Sequence, residues 1–405
     1  MADLLGFTAI LIVSLITLIV ALYWRKISNI LIVGLIIRVF ILLVGHYIIP
    51  LPGGTQDALG FERKAWELSQ NGFFDLLSHF DIGPFIFFSW LQAIPYSLFG
   101  RSILMGQSIS LLFGIGTIFF SWKIASILWD NRTANKVGWT IALFPSVVMY
   151  SVLFMREAYI SFFIVLALYG LVSWIKNKNY KSIILSLIGF VGAALFHGPM
   201  IVGGIIFMII IFKYYLNRTF KSLINLRFNF KNLIILSFSS IIIGLYLSNK
   251  ITIPYLGTFE NSINIEFLLL KTSYAYSGEA SWPEWTKATS GIELIYKAPV
   301  RSVYFVLSPF PWDINKTAQL IALFDSLLYF YLVCLILYNI KVIWKDPILR
   351  IILIILISYI LAFGFGVGNF GTSLRHRSKL AFMFIILAGP LIKRLVFKKK
   401  SITIQ

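Results

Sequence analysis

The chain has 405 residues, 59% of them hydrophobic and only 13% charged, about half the charged share of an ordinary globular domain. Such a composition cannot hide its apolar side chains in a water-soluble core, so it implies a polytopic membrane protein partnered by the lipid bilayer. The formal charge of +19 sits in short clusters between apolar runs, as in loops that orient membrane helices, which argues against nucleic acid as a partner. One cysteine, Cys334, lies inside an apolar run, which excludes an intrachain disulfide and a thiolate metal cluster.

The first apolar run, Leu4 to Trp24, has no basic residue before it and Arg25-Lys26 after it. That charge order is the reverse of a cleavable leader and predicts a retained helix with its N-terminus outside. A span needs about 20 mostly apolar residues. Segments near 4–24, 28–49, 103–126, 136–154, 158–175, 182–197, 199–214, 232–248, 318–341, 348–366 and 379–395 meet that need, giving about eleven transmembrane helices in an all-α integral membrane fold. Threaded from an outside N-terminus, they put Arg25-Lys26, "WDNRTANK", "KNKNYK", "WKDP" and the basic tail in the cytoplasm, as the positive-inside rule requires. The C-terminus is then inside. The expected location is the cytoplasmic (inner) membrane.

Two further apolar stretches, 84–100 and 303–314, are short, broken by proline and rich in aromatics. They read as juxtamembrane or re-entrant pieces lying against the outer interface. The chain has no internal repeat and forms a single polytopic domain over 1–405, with two long outer loops, 50–102 and 249–317, capping the membrane part.

Four features on the outer side carry chemistry. From Asp57 onward, Ala58, Phe61, Ala65 and Leu68 recur at helical spacing, so Asp57 starts an amphipathic helix at the membrane surface, as a cap or as a catalytic acid. Arg156-Glu157 interrupts almost continuous apolar sequence and is brought by the threading to the side of Asp57. Two carboxylates there suit a general base with a positioning group, or a divalent cation such as Mg or Mn. His197 stands beside a Gly-Pro break at the outer end of a helix, as a cap or an acid-base group.

The fourth feature is "GNFGTSLRHRSKLAF", where Arg375, His376, Arg377 and Lys379 crowd one outer connector. Positive charge kept on the disfavoured side suits an anion, and guanidinium forks match phosphate oxygens. Arg375, Arg377 and Lys379, with Arg156, form the expected phosphate-binding set; anchoring to anionic lipid is the plainer alternative. Within the membrane, Arg38, His46 and Asp325 are costly unless paired, and an Arg38–Asp325 pair is one way to satisfy two of them.

Taken together, the Asp57 loop ending in "SQNGFF", the Pro-led "GPFIFFSWLQAIPYSLFG" and the proline-containing "FPSVVMYSVLFMREAY" resemble the GT-C superfamily of membrane glycosyltransferases, the group of protein O-mannosyltransferases and aminoarabinose transferases. The resemblance covers Pro50 to Ile175 and is architectural beyond it. It implies a GT-C-like fold in which Asp57 matches the first-loop catalytic or metal-binding acid and Glu157 the second-loop acid. Asp57 lacks the acidic neighbour common in that family, and Glu157 is followed by Ala158 where Asp-Pro often occurs, so metal dependence stays open. Polysaccharide repeat-unit polymerases are a close rival, since "LFMREAY", "SPFPWDI" and "LRHRSKLAF" are similar to their outer segments. Both readings imply a polyprenyl-phosphate-linked sugar donor and a glycan, lipid or protein acceptor in cell-envelope synthesis, with an inverting transfer at the outer face. A lipid-linked glycan transporter or flippase is the competing class, disfavoured by the absence of repeated halves.

Overall fold

A computed structural model describes residues 1–55, 57–80, 86–224, 230–250, 252, 257–264, 266, 269–270, 280–314 and 317–392. The described chain is helical, with 83% of residues in helices and no strand. The protein is an α-helical, multi-pass membrane protein, with six helices long and apolar enough to cross a bilayer: Ala2–Tyr23, Ser28–Tyr47, Ile103–Leu128, Glu157–Asn177, Gly198–Ser222 and Pro347–Gly366. Shorter apolar helices at Ile86–Phe99, Tyr180–Phe196, Asn232–Leu247, Ala322–Tyr338 and Ala381–Leu391 accompany them.

The N-terminal hairpin is α1 (Ala2–Tyr23) and α2 (Ser28–Tyr47). The amphipathic run from Asp57 is α3 (Asp57–Ser69), followed by α4 (Phe73–Ser78) and α5 (Ile86–Phe99). Only about 20 Å long at 1.5 Å per residue, α5 lies against the two helices before it: Ser89 Oγ donates to the Phe61 carbonyl at 2.9 Å and Trp90 Nε1 to Leu76 O at 2.9 Å. At its C-terminal end Arg101 forms a bidentate pair with buried Glu62 of α3, at 2.8 and 2.7 Å.

The chain then runs away from the Asp57 end along α6 (Ile103–Leu128) and returns through α7 (Asn131–Leu143) and α8 (Pro145–Tyr150). The single span expected over 136–154 is therefore divided. Pro145 cannot donate an amide to the preceding turn and forces Phe144 out of helical geometry, to φ −67° and ψ 119°. Residues 151–156, which follow, are all buried. Irregular backbone at that depth survives because protein, not lipid, surrounds it.

Next come α9 (Glu157–Asn177), α10 (Tyr180–Phe196), α11 (Ile201–Ile224), α12 (Phe230–Leu247) and the short α13 (Phe259–Ile263). α9 and α10 pack so closely that a Cβ on Gly189 would lie 2.5 Å from the Ala167 nitrogen; only glycine fits there. The remainder is α14 (Gly291–Leu307), α15 (Thr317–Tyr338), α16 (Ile340–Lys345), α17 (Pro347–Gly366), α18 (Phe370–Ser378) and α19 (Ala381–Ala388). Every residue of α19 is buried, so this short helix is the centre of the bundle.

The acids at the far end from Asp57 serve as caps. Asp130 Oδ1 accepts from the Thr133 amide at 2.7 Å, and Asp346 Oδ1 accepts from Ile348 and Leu349 amides at 2.8 and 3.0 Å.

Candidate functional site

The connector carrying Arg375 to Lys379 contains a helix. Asn369 starts α18 by accepting from the amides of Gly371 and Thr372 at 2.9 and 3.3 Å. At about 100° per residue, Arg375 and Lys379 point roughly the same way, whereas Arg377 points about 200° from Arg375. That rotation splits the cationic cluster into two environments.

On one face, Arg375 bridges both predicted acids. Its Nη1 pairs with Asp57 Oδ2, and its Nε lies 2.9 Å from Glu157 Oε1. Lys379 Nζ lies 3.5 Å from the same Glu157 oxygen and 2.7 Å from His376 Nδ1. The His376 ring stands 5.0 Å from that of His197, with Phe363 against both. Arg156 Nη1 donates to the Phe196 carbonyl at 3.0 Å, so it closes the same cluster from the end of α10. Asp57, Glu157, Arg375, Lys379, Arg156, His376 and His197 thus converge although α3, α9, α10 and α18 are far apart in the chain. Exposure is graded: the Asp57 side chain is 57% exposed and Arg375 16%, while Glu157 is 1% and Lys379 0%. Asp57 stands at the mouth and Lys379 at the floor.

Arg156, Arg375 and Lys379 face two carboxylates. Burial opposes the charge of Arg375, but Glu157 and Asp57 outweigh it and hold the guanidinium above its ordinary value. Burial, then the nearby Lys379, pushes the His376 imidazole well below its ordinary value, so it is neutral at pH 7. Burial also draws the Lys379 amine well down, against the attraction of Glu157, with Arg156 and Arg375 adding to the fall. Lys379 is the group that yields because guanidinium protons are held far more tightly.

On the other face, Arg377 is fully enclosed. Its Nη1 donates to the carbonyls of Val306 and Ser308 at 3.0 and 2.5 Å, and its Nη2 to Asp325 Oδ2 and Ser326 Oγ at 3.0 and 2.9 Å. Arg377 therefore ties α18 to α14 and α15, directed away from the Asp57 cluster where sequence reasoning grouped it. Arg38 does not pair with Asp325 either. Its Nε donates to Ser151 Oγ at 3.0 Å and its Nη1 to Gly34 O and Ala142 O at 3.1 and 2.9 Å, bracing the break between α7 and α8.

Three residues escaped sequence reasoning. Tyr150 is buried within electrostatic reach of Glu157 and Arg375. Arg101 orients α3 through Glu62. Arg301, fully buried, donates to Gly364 O, Phe365 O and Val367 O at 2.9 to 3.0 Å, which satisfies the last carbonyls of α17 just before α18. Their partners are long-range, so nothing local marked them.

Among the described residues, no three His, Cys, Asp or Glu side chains converge as a metal set. Both acids already meet a guanidinium. This donor set does not fit a divalent cation.

Of the aromatics in the loop 249–317, Trp282 is buried, Trp285 and Trp312 are exposed, and Tyr274 and Tyr276 lie outside the described residues. Compared with known proteins, the sequence matches no protein-family model and no curated protein.

Proposed function

We propose that the protein is a membrane glycosyltransferase that moves a sugar or glycan from a polyprenyl-(di)phosphate donor to an acceptor on the outer face of the cytoplasmic membrane. The observation that carries this reading is Arg375, held between Asp57 and Glu157 with Lys379 beneath. The donor's isoprenoid tail lies among the helices and its phosphate engages Arg375, Lys379 and Arg156. A phosphate on Arg375 competes with Asp57 for the guanidinium. Asp57 is then free to accept a proton at the exposed mouth, where an acceptor enters.

The acceptor oxygen forms a bond to the anomeric carbon as that carbon's bond to the phosphate oxygen breaks. The electron pair leaves with the phosphate, and the acceptor proton passes to Asp57. In-line attack inverts the anomeric centre. Charge grows on the phosphate as the bond breaks, so cations fixed beforehand stabilise the transition state more than the ground state. Glu157 holds Arg375 and Lys379 in place.

The test is transfer by the full chain reconstituted with undecaprenyl-linked donors. Asp57→Asn and Arg375→Ala are each expected to lower turnover about 100-fold or more, the range for losing a general base or a transition-state cation. Wild-type turnover in both variants would eliminate the site. A ladder of products marks a repeat-unit polymerase, a single addition a transferase. Movement of lipid-linked glycan without bond formation would replace the enzyme by a transporter.

A further inference from the structure

A cavity of about 920 Å³ lies at the far end of the molecule from Asp57, between α7 and α15. Its α7 wall is a single helical face. Asn131, Arg132, Asn135, Lys136, Trp139, Thr140, Leu143 and Phe144 follow the one, three, one, three spacing that keeps side chains on one stripe. Chemistry changes along that stripe. The first turn and a half is polar and cationic, through Arg132 and Lys136. Trp139, Leu143 and Phe144 follow, and Leu328 and Leu332 of α15 face them.

The dimensions match one leaflet. Thirteen residues of α7 rise about 20 Å, against about 15 Å for half the hydrocarbon core plus part of the headgroup region. The nearest carboxylate, Asp130, caps the Thr133 amide and also attracts Arg132, so two cations face one carboxylate and the polar end keeps a net positive charge. Among the described residues, Lys136 Nζ makes a long contact of 3.5 Å to the Pro390 carbonyl.

We propose that this groove binds one anionic phospholipid of the leaflet opposite the Asp57 site, its phosphate on Arg132 and Lys136 and an acyl chain along Trp139, Leu143 and Phe144. The lipid fills the seam where α7 stops short at Pro145. It is a second lipid site, separate from the donor site and independent of the glycosyltransferase reading.

Native mass spectrometry of the full chain, released from detergent with added phosphatidylglycerol or phosphatidylcholine, tests this. One phosphatidylglycerol is expected to stay bound per chain, with phosphatidylcholine retained at least tenfold more weakly. The double variant Arg132→Ala, Lys136→Ala should lose that preference. The exposed pair Arg25 and Lys26, changed to alanine together, controls for net charge and should keep it. Thr140→Trp, which fills the groove but leaves both cations, should also expel the lipid. Equal retention of the two lipids, or a preference unchanged in the Arg132, Lys136 variant, overturns the proposal.

Discussion

Lys379 is the residue whose titration matters most. A phosphate arriving beside it adds negative charge and raises its pKa, so binding takes up a proton wherever the unliganded amine is neutral. Affinity for an isoprenyl phosphate should therefore fall as pH rises, by up to about tenfold per unit, and Lys379→Met should bind more weakly without that slope; calorimetry across pH measures both. His376 acts in the opposite sense on stability. Its folded pKa is depressed, so below about pH 6.5 the unfolded chain gains a proton that the folded chain refuses. Thermal stability should decline as pH falls through that range, and His376→Gln should lessen the decline. Asp325→Asn is a test of a different kind. It leaves Arg377 enclosed without its countercharge and should cost about 3–5 kcal/mol, read as loss of folded protein on heating. Asp57, Glu157 and Arg375 stood out in the sequence because each interrupts or flanks strongly apolar runs, where a charged side chain is costly unless it has a partner. Arg377 was not: read as a loop, "SLRHRSK" offers its cations together, and only a helix turns Arg377 from Arg375.

At the scale of elements, two contacts set the site. The Arg101 pair with Glu62 fixes α3, one and a half turns from Asp57. Arg101→Ala should destabilise by about 2 kcal/mol, less than the ~3–5 kcal/mol typical of enclosed pairs, because the Arg101 side chain is 45% exposed. It should also lower turnover, since Asp57 loses its fixed approach to Arg375. The second contact is the α9–α10 seam, which places Glu157 and His197 at one end. Gly189→Ala must push the helices apart, with an expected cost of about 1–3 kcal/mol in thermal unfolding. Apolar period and length announced most helices, including the amphipathic α3. They did not announce the division at Pro145, because a window of mostly apolar residues hides one missing amide.

Across the whole molecule, the helices alternate between two ends. Asp57, Glu157, His197 and Arg375 share one. Arg25-Lys26, Arg132, Lys136, Lys178 and Lys345 lie at the other. In a Cys334→Ser background, a cysteine at the exposed Gln70 should react with an impermeant maleimide added outside intact cells, while one at the exposed Lys26 should react only after lysis. The reverse pattern would remove the outer-face reading. Composition and periodicity alone determined that this is a helical membrane protein, because apolar length and scarce charge leave the chain no soluble alternative. The count of crossings gave only an expectation of which charged residues share an end; the structure brings Asp57, Glu157 and Arg375 together. Only tertiary structure decided which charges touch: pairing depends on helix rotation and interhelical distance, and neither is written in the spacing of residues along one segment. That is why Arg375 meets Asp57 and Glu157, while Arg377 meets Asp325 and Arg38 meets Ser151.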